Sequence, residues 1–178
     1  MKKLLVCAVA VMAFSCVMAA ENVIYSFAFN SKKEFNAWAS KAAYPAYEIS
    51  FADGVAKLTV KDAAAGGKGG FQVMPFFKQG FKKGMTYKVT GTLKSSEAVR
   101  IQLCIQLSGA PYTVYPMTNN GKWSVLKMQP GVAQDFALEF TAPEDISAIC
   151  RTPGIHTGPM KSGTVLEFSN FKVIEVQK

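Results

Sequence analysis

The sequence predicts an all-β protein, a two-sheet β-sandwich of jelly-roll type, and three observations carry that expectation. Apolar and polar residues alternate with period two in several short runs, turn chemistry recurs every ~8–12 residues, and helical periodicity is nearly missing. About eight or nine short strands are implied, enough for two packed layers around one core.

Residues 1–20, MKKLLVCAVAVMAFSCVMAA, have the three parts of a cleavable secretory signal. Lys2 and Lys3 supply the positive start, Leu4 to Val17 the apolar stretch, and Ala19 and Ala20 the small residues near the cut. No second apolar run of about 18 residues follows, so no membrane span is expected. A lipoprotein alternative uses Cys16 after Ser15, although Ala13 and Phe14 depart from the usual signal. The expectation is a secreted or periplasmic domain over residues 21–178.

Within that domain, Ser31 to Ala43 is the one stretch with helical character, with Ser31 as N-cap and Glu34 three residues on. Glu48 to Phe51 and Val55 to Lys61 then flank Asp53-Gly54, a hairpin turn pair. In the second run Ala56, Leu58 and Val60 face one way and Lys57, Thr59 and Lys61 the other. After the glycine-rich loop at Ala63 to Gly70 comes FQVMPFF, where Pro75 implies an edge strand or a bulge. Thr86 to Lys94 alternates Tyr87, Val89 and Leu93 against Lys88, Thr90 and Thr92. The clearest alternation is Val99 to Leu107, with an apolar face of Val99, Ile101, Leu103, Ile105 and Leu107 opposite Arg100, Gln102, Cys104 and Gln106. The runs YTVYPM, WSVLKM, FALEF and SAICR follow, and a last strand spans Val165 to Val176.

Composition narrows the functional classes. With Lys2 and Lys3 removed, 18 basic residues remain against 12 acidic ones. The lysines are scattered, not bunched with arginines and aromatics, so a nucleic-acid stripe is not expected. Cys104, Cys150 and the single His156 cannot supply a metal framework. A hydrolase triad lacks its G-x-S-x-G motif, and carboxylates such as Asp135 and Glu139 fall at outward strand positions without facing partners. Catalysis is therefore not expected.

Several stretches resemble carbohydrate-binding modules of the family 4/9 type, found on bacterial xylanases and glucanases. Trp38 precedes a DG-x-x-x-L-x-V strand (Asp53 to Val60), a Gln-bearing strand with Gln72 follows, and then G-x-x-Y-x-V with a Lys-Ser-Ser exit (Gly84 to Ser96). The R-I-Q-L strand, FALEFTAP (Phe136 to Pro143) and FSNFKVIEV complete the order across the domain. The resemblance implies a galactose-binding-like jelly roll with a poly- or oligosaccharide in a groove on the outer face of one sheet. Candidate ligand-binding residues on that reading are Gln72, Arg100, Gln102, Gln106, Tyr112 and Tyr115, with Arg151 and His156 placed to border the groove. Amides and guanidinium bond sugar hydroxyls, and aromatic faces cover the C–H side of a pyranose. The same topology would set the Cys104 and Cys150 strands side by side, leaving a disulfide open. No cofactor is expected: Ser169 stands where the family usually has an aspartate, which weakens the case for a structural calcium.

Other readings remain at this stage. Each polar residue named is also an ordinary occupant of a wet sheet face, and Tyr112 and Tyr115 are equally packing residues. Trp38 reads better as a core cap than as a stacking platform, while Trp123 is open to either. An extracytoplasmic interaction sandwich that exposes FQVMPFF as an edge, with Phe76 and Phe77, is the alternative function.

Overall fold

Twelve strands and two sheets form the described part of the protein in a computed structural model covering residues 21–39, 46–63, 70–109, 112–116, 124–146 and 150–176. Residues 1–20 with Cys16, on which the secretory-signal expectation falls, most of the glycine-rich loop, Trp123 and the Trp38 side chain lie outside the described residues. The strands are β1 (Asn22–Ser26), β2 (Phe35–Ala39), β3 (Tyr47–Ala52), β4 (Val55–Val60), β5 (Phe71–Phe77) and β6 (Thr86–Ser95). They continue as β7 (Val99–Leu107), β8 (Val114–Pro116), β9 (Ser124–Met128), β10 (Ala133–Thr141), β11 (Cys150–Thr157) and β12 (Val165–Val176).

The first sheet runs β10-β6-β12-β4-β3, with β1 on the far half of β12; the second runs β2-β5-β11-β7-β8, with β9 on the far half of β7. All named pairs are antiparallel, so an inner and an outer face follow directly from the side-chain period of two. In β4, Ala56, Leu58 and Val60 are fully buried, and in β7 Ile101, Leu103 and Ile105 are buried as the alternation requires. The two inner faces meet in an aromatic core. Phe29 packs edge-on against Phe35 and Phe171, Phe136 lies edge-on to Phe171, and Phe35 lies against Phe168, with ring centroids 5.0–5.4 Å apart. These are the offsets the ring quadrupole favours.

Two backbone irregularities matter. In β12 the register with β6 shifts between Ser169 and Lys172, Asn170 takes a positive φ of 58°, and Phe171 is turned into the core. In β11 the register shifts between Arg151 and Ile155, opposite the stretch of β5 that holds Pro75. A bulge is where a missing N–H is tolerated, which accounts for Pro75.

Three expectations need correcting. The described part of the stretch expected to have helical character, residues 31–39, forms no helix beyond one turn: Glu34 and Phe35 donate to the Ser31 carbonyl, and β2 begins at once. Phe35 and Ala37 are both buried, a period-two pattern that tertiary packing enforces over the local capping signal. FQVMPFF is not an exposed edge, since β5 lies between β2 and β11 and Phe77 is fully buried. Finally, no disulfide joins Cys104 and Cys150. Cys150 is registered opposite Leu107 and belongs to the inner core, whereas Cys104 is opposite Gly154 on the outer face. The strands are neighbours, but the sheet stands between the thiols.

Gly91 on β6 faces the aromatic core, and a Cβ there would lie 2.2 Å from Phe171 and 2.9 Å from Phe136. Gly91→Ala is expected to lower stability by ~1–3 kcal/mol through overpacking. The guanidinium unfolding midpoint checks this, and an unchanged midpoint would contradict the described packing.

Candidate functional site

Because β7 buries its odd-numbered residues, its even-numbered ones stand on the outer face of the second sheet. The register then decides their neighbours. Gln106 lies opposite Arg151 of β11, and Gln102 lies opposite His156. On the other side of β11, Arg151 is opposite Phe76 and His156 is opposite Gln72 of β5.

Arg151 is the hub. Its Nη1 donates to Gln72 Oε1 at 2.9 Å and to Gln106 Oε1 at 3.0 Å, joining three strands through one guanidinium nitrogen. The Gln106 oxygen also lies 3.4 Å from His156 Nε2. With both glutamine oxygens engaged, the amide NH2 groups are what these side chains offer a ligand. The cluster lines a cleft of about 410 Å³ together with Met74, Ser108 and Tyr112. Gly154 leaves room beside it: a Cβ there would meet Cys104 Sγ at 2.9 Å, so a small residue is required at this point. Tyr112 forms the rim, 53% exposed and held at φ 57°, a region that costs an L-residue ~1–2 kcal/mol.

Of the six residues expected from the sequence, Gln72, Gln106 and Tyr112 come together in this cleft. Gln102 is on the same face, next to His156 in register, and Arg100 lies exposed further along β7, opposite Lys127 of β9. Tyr115 does not join them. It is registered opposite Ile105, packs on Phe140 at 5.9 Å, and its hydroxyl donates to Glu144 at 2.5 Å. That pairing puts it on the core side of the sheet, so its sequence-based assignment to the groove is corrected. Arg151, expected only at the border, is central. The sequence signal for it was its rarity, as one of two arginines in a lysine-rich chain.

Charge is divided between the sheets. The strands of the second sheet contain Arg100, Lys127, Arg151 and His156 but no Asp or Glu. The four ion pairs among the described residues, Lys61–Glu48, Lys88–Glu21, Lys94–Glu167 and Lys161–Glu97, involve none of its residues. Among the described residues no group of three or more His, Cys, Asp or Glu converges as metal ligands do. No helix there is long and apolar enough to cross a membrane.

Burial is the main cause of the perturbed titrations in this face. It lowers the pKa of Arg151 and of His156, the latter also repelled by Arg151. Burial pushes the Cys104 thiol up to about 12, with Arg151 opposing, and pushes Cys150 up to about 11.

No protein-family model and no curated protein matches the sequence. Solved structures do match it. A family 4 carbohydrate-binding module is 18% identical with a TM-score of 0.60, over 88% of this chain and 97% of that one. The fold is that of carbohydrate-binding modules. The N-terminal cellulose-binding domain of β-1,4-glucanase C from Cellulomonas fimi superposes at 0.58, with 13% identity over 89% of this chain and 99% of that one. The CBM22-1 and GH10 modules of xylanase 10B from Clostridium thermocellum, complexed with xylohexaose, score 0.58 at 9% identity. That match covers 89% of this chain and 29% of the other. The likeness is in fold alone.

Two outcomes follow from the burial. A histidine whose folded pKa is lowered is neutral in the folded state at pH values where the unfolded chain already binds a proton. Stability is therefore expected to be full above pH 6.5, the ordinary histidine value, and to decline as pH falls below it. His156→Gln should flatten that decline in denaturation series from pH 8 to pH 5. The two thiols should resist alkylation at pH 8 until the protein is unfolded, and rapid labelling of the native protein would contradict their burial.

Proposed function

We propose that the protein is a secreted, non-catalytic carbohydrate-binding domain. The outer face of the second sheet takes a poly- or oligosaccharide. The observation that carries this reading is the Arg151 guanidinium held between the Gln72 and Gln106 oxygens in an open cleft. Three strands present hydrogen-bonding groups whose positions are fixed before a ligand arrives, so little side-chain entropy is lost on binding. Tyr112 at the rim supplies a flat face for a pyranose ring, and Gln102 and His156 extend the polar surface along the sheet. Catalysis is disfavoured on this face because none of its strands holds an Asp or Glu, and glycoside hydrolysis requires a pair of carboxyl groups. The fold shared with carbohydrate-binding modules is consistent with the reading, as is an export signal ending near Ala20. The alternative of a protein-binding edge at FQVMPFF loses its basis with β5 in the sheet interior.

Affinity electrophoresis through gels containing soluble β-glucan, xylan, mannan, polygalacturonate or a sulfated glycan tests the proposal. Retardation on at least one is expected, and unchanged mobility on every one would overturn it. Gln72→Ala and Gln106→Ala should each weaken binding about tenfold, equivalent to one hydrogen bond of ~1.4 kcal/mol.

A further inference from the structure

The outer face of the second sheet carries positive charge that the protein itself does not neutralise. Among the described residues Arg151 bonds only to neutral amide oxygens, and its Nε is buried with no acceptor there. Neither Arg151 nor Arg100 has a carboxylate within ion-pair distance there, although all twelve acidic residues of the chain are among those described. Ion pairs do form elsewhere, as Lys61 with Glu48 at 2.7 Å and Lys94 with Glu167 at 3.6 Å on the first sheet; described lysines without one, such as Lys78, Lys82 and Lys172, are ammonium groups and not a half-buried guanidinium in a cleft.

An unpaired guanidinium lining a cleft is unusual on physical grounds. Partial burial removes hydration, and a partner normally restores the lost energy. Both arginines of the chain stand on this one face, and guanidinium is the side chain suited to bidentate recognition of carboxylate and sulfate oxygens. Their spacing is also informative. Arg151 is opposite Gln106, six residues along β7 from Arg100, a separation of ~20 Å at the usual strand rise. Lys127 lies opposite Arg100 and strengthens that end. Between the two ends run Gln102 and His156, which are polar but carry no acid.

We infer that the glycan bound by this face is anionic, an extended chain whose carboxylate or sulfate groups pair with Arg151 at one end and Arg100 with Lys127 at the other. This rests on the reading of the face as glycan-binding and names the ligand class. A nucleic acid also offers a chain of negative charge. It is disfavoured because the cleft's remaining groups are amides set for hydroxyls, and the described part of this face has no row of aromatic side chains on which bases could stack.

The test uses the mature protein in titrations with polygalacturonate, a sulfated glycan, neutral β-glucan, xylan and mannan, and a single-stranded oligonucleotide. At least one acidic glycan should bind about tenfold tighter than any neutral one, with affinity falling as salt rises from about 50 mM to about 500 mM. Whichever acidic glycan binds identifies the carboxylate or the sulfate as the recognised group. Arg151→Gln should lose about tenfold and Arg100→Gln about threefold, while Lys57→Gln on the first sheet, the same change in net charge, should alter binding less than twofold. Arg100→Gln alters an exposed side chain and keeps the test decisive should Arg151→Gln fail to fold. Equal affinity for neutral glycans would overturn the anionic ligand and leave glycan binding standing. Binding to no glycan would overturn both. Equal affinity for the oligonucleotide, or equal losses in Arg151→Gln and Lys57→Gln, would reduce the effect to general attraction by a basic protein and overturn the inference.

Discussion

The interlocked phenylalanine core between the two sheets is the constraint on which the rest of this protein depends. Phe29, Phe35, Phe168 and Phe171 are each almost completely buried and touch one another edge to face or, for Phe35 and Phe168, tilted. Rings of this size fit only when every contributing strand presents the correct face. A one-residue slip in any of them would expel a ring and bury a polar side chain in its place. The requirement extends to residues with no side chain. Gly91 is needed because Phe171 and Phe136 occupy the space its Cβ would take, and Asn170 adopts its left-handed conformation where the bulge turns Phe171 inward.

What the core fixes inward, it also fixes outward. With Ile101, Leu103 and Ile105 buried, Gln102, Cys104 and Gln106 have no choice of side. β11 departs from simple alternation. Arg151 and His156 are five positions apart and would fall on opposite faces of a regular strand. They pair with Gln106 and Gln102, which are only four positions apart, so β11 holds one residue more than its neighbour. The bulge thereby brings the guanidinium and the imidazole to the same face, where the hydrogen bonds to Gln106 form. The cleft is thus a product of a register shift in one strand against a regular partner.

This also explains how much could be read from the sequence. The two-sheet architecture, β4, β6 and β7 were legible because their alternation is undisturbed and each has one wet and one buried face. The outward facing of Gln102 and Gln106 was legible for the same reason, whereas Gln72, on a strand that does not alternate, was named from the family resemblance. Arg151 was not seen as the hub because the bulge beside it breaks the parity from which a facing is inferred. Tyr115 was misplaced because β8 has three residues, too few for a period, and its side is set by pairing with Ile105. The helical character read at Ser31 is present as one turn, while the strand that follows it, with Phe35 and Ala37 buried against partners distant in sequence, could not be seen locally. Whether Cys104 and Cys150 are bonded was left open for a related reason, since adjacency of strands says nothing about which face each cysteine takes.

The division of charge between the sheets bears on how such a face can evolve without loss of stability. A carboxylate beside Arg151 would satisfy the guanidinium and strengthen the fold, yet it would also occupy the group that the cleft presents. The glutamines are the compromise. They accept from Nη1 well enough to hold the side chain in one position, and being neutral they leave its charge uncancelled. Desolvation is then only partly compensated, in keeping with the lowered pKa that burial gives Arg151. On the proposed reading, incomplete compensation at this position and affinity for an oxygen-rich ligand have the same physical origin.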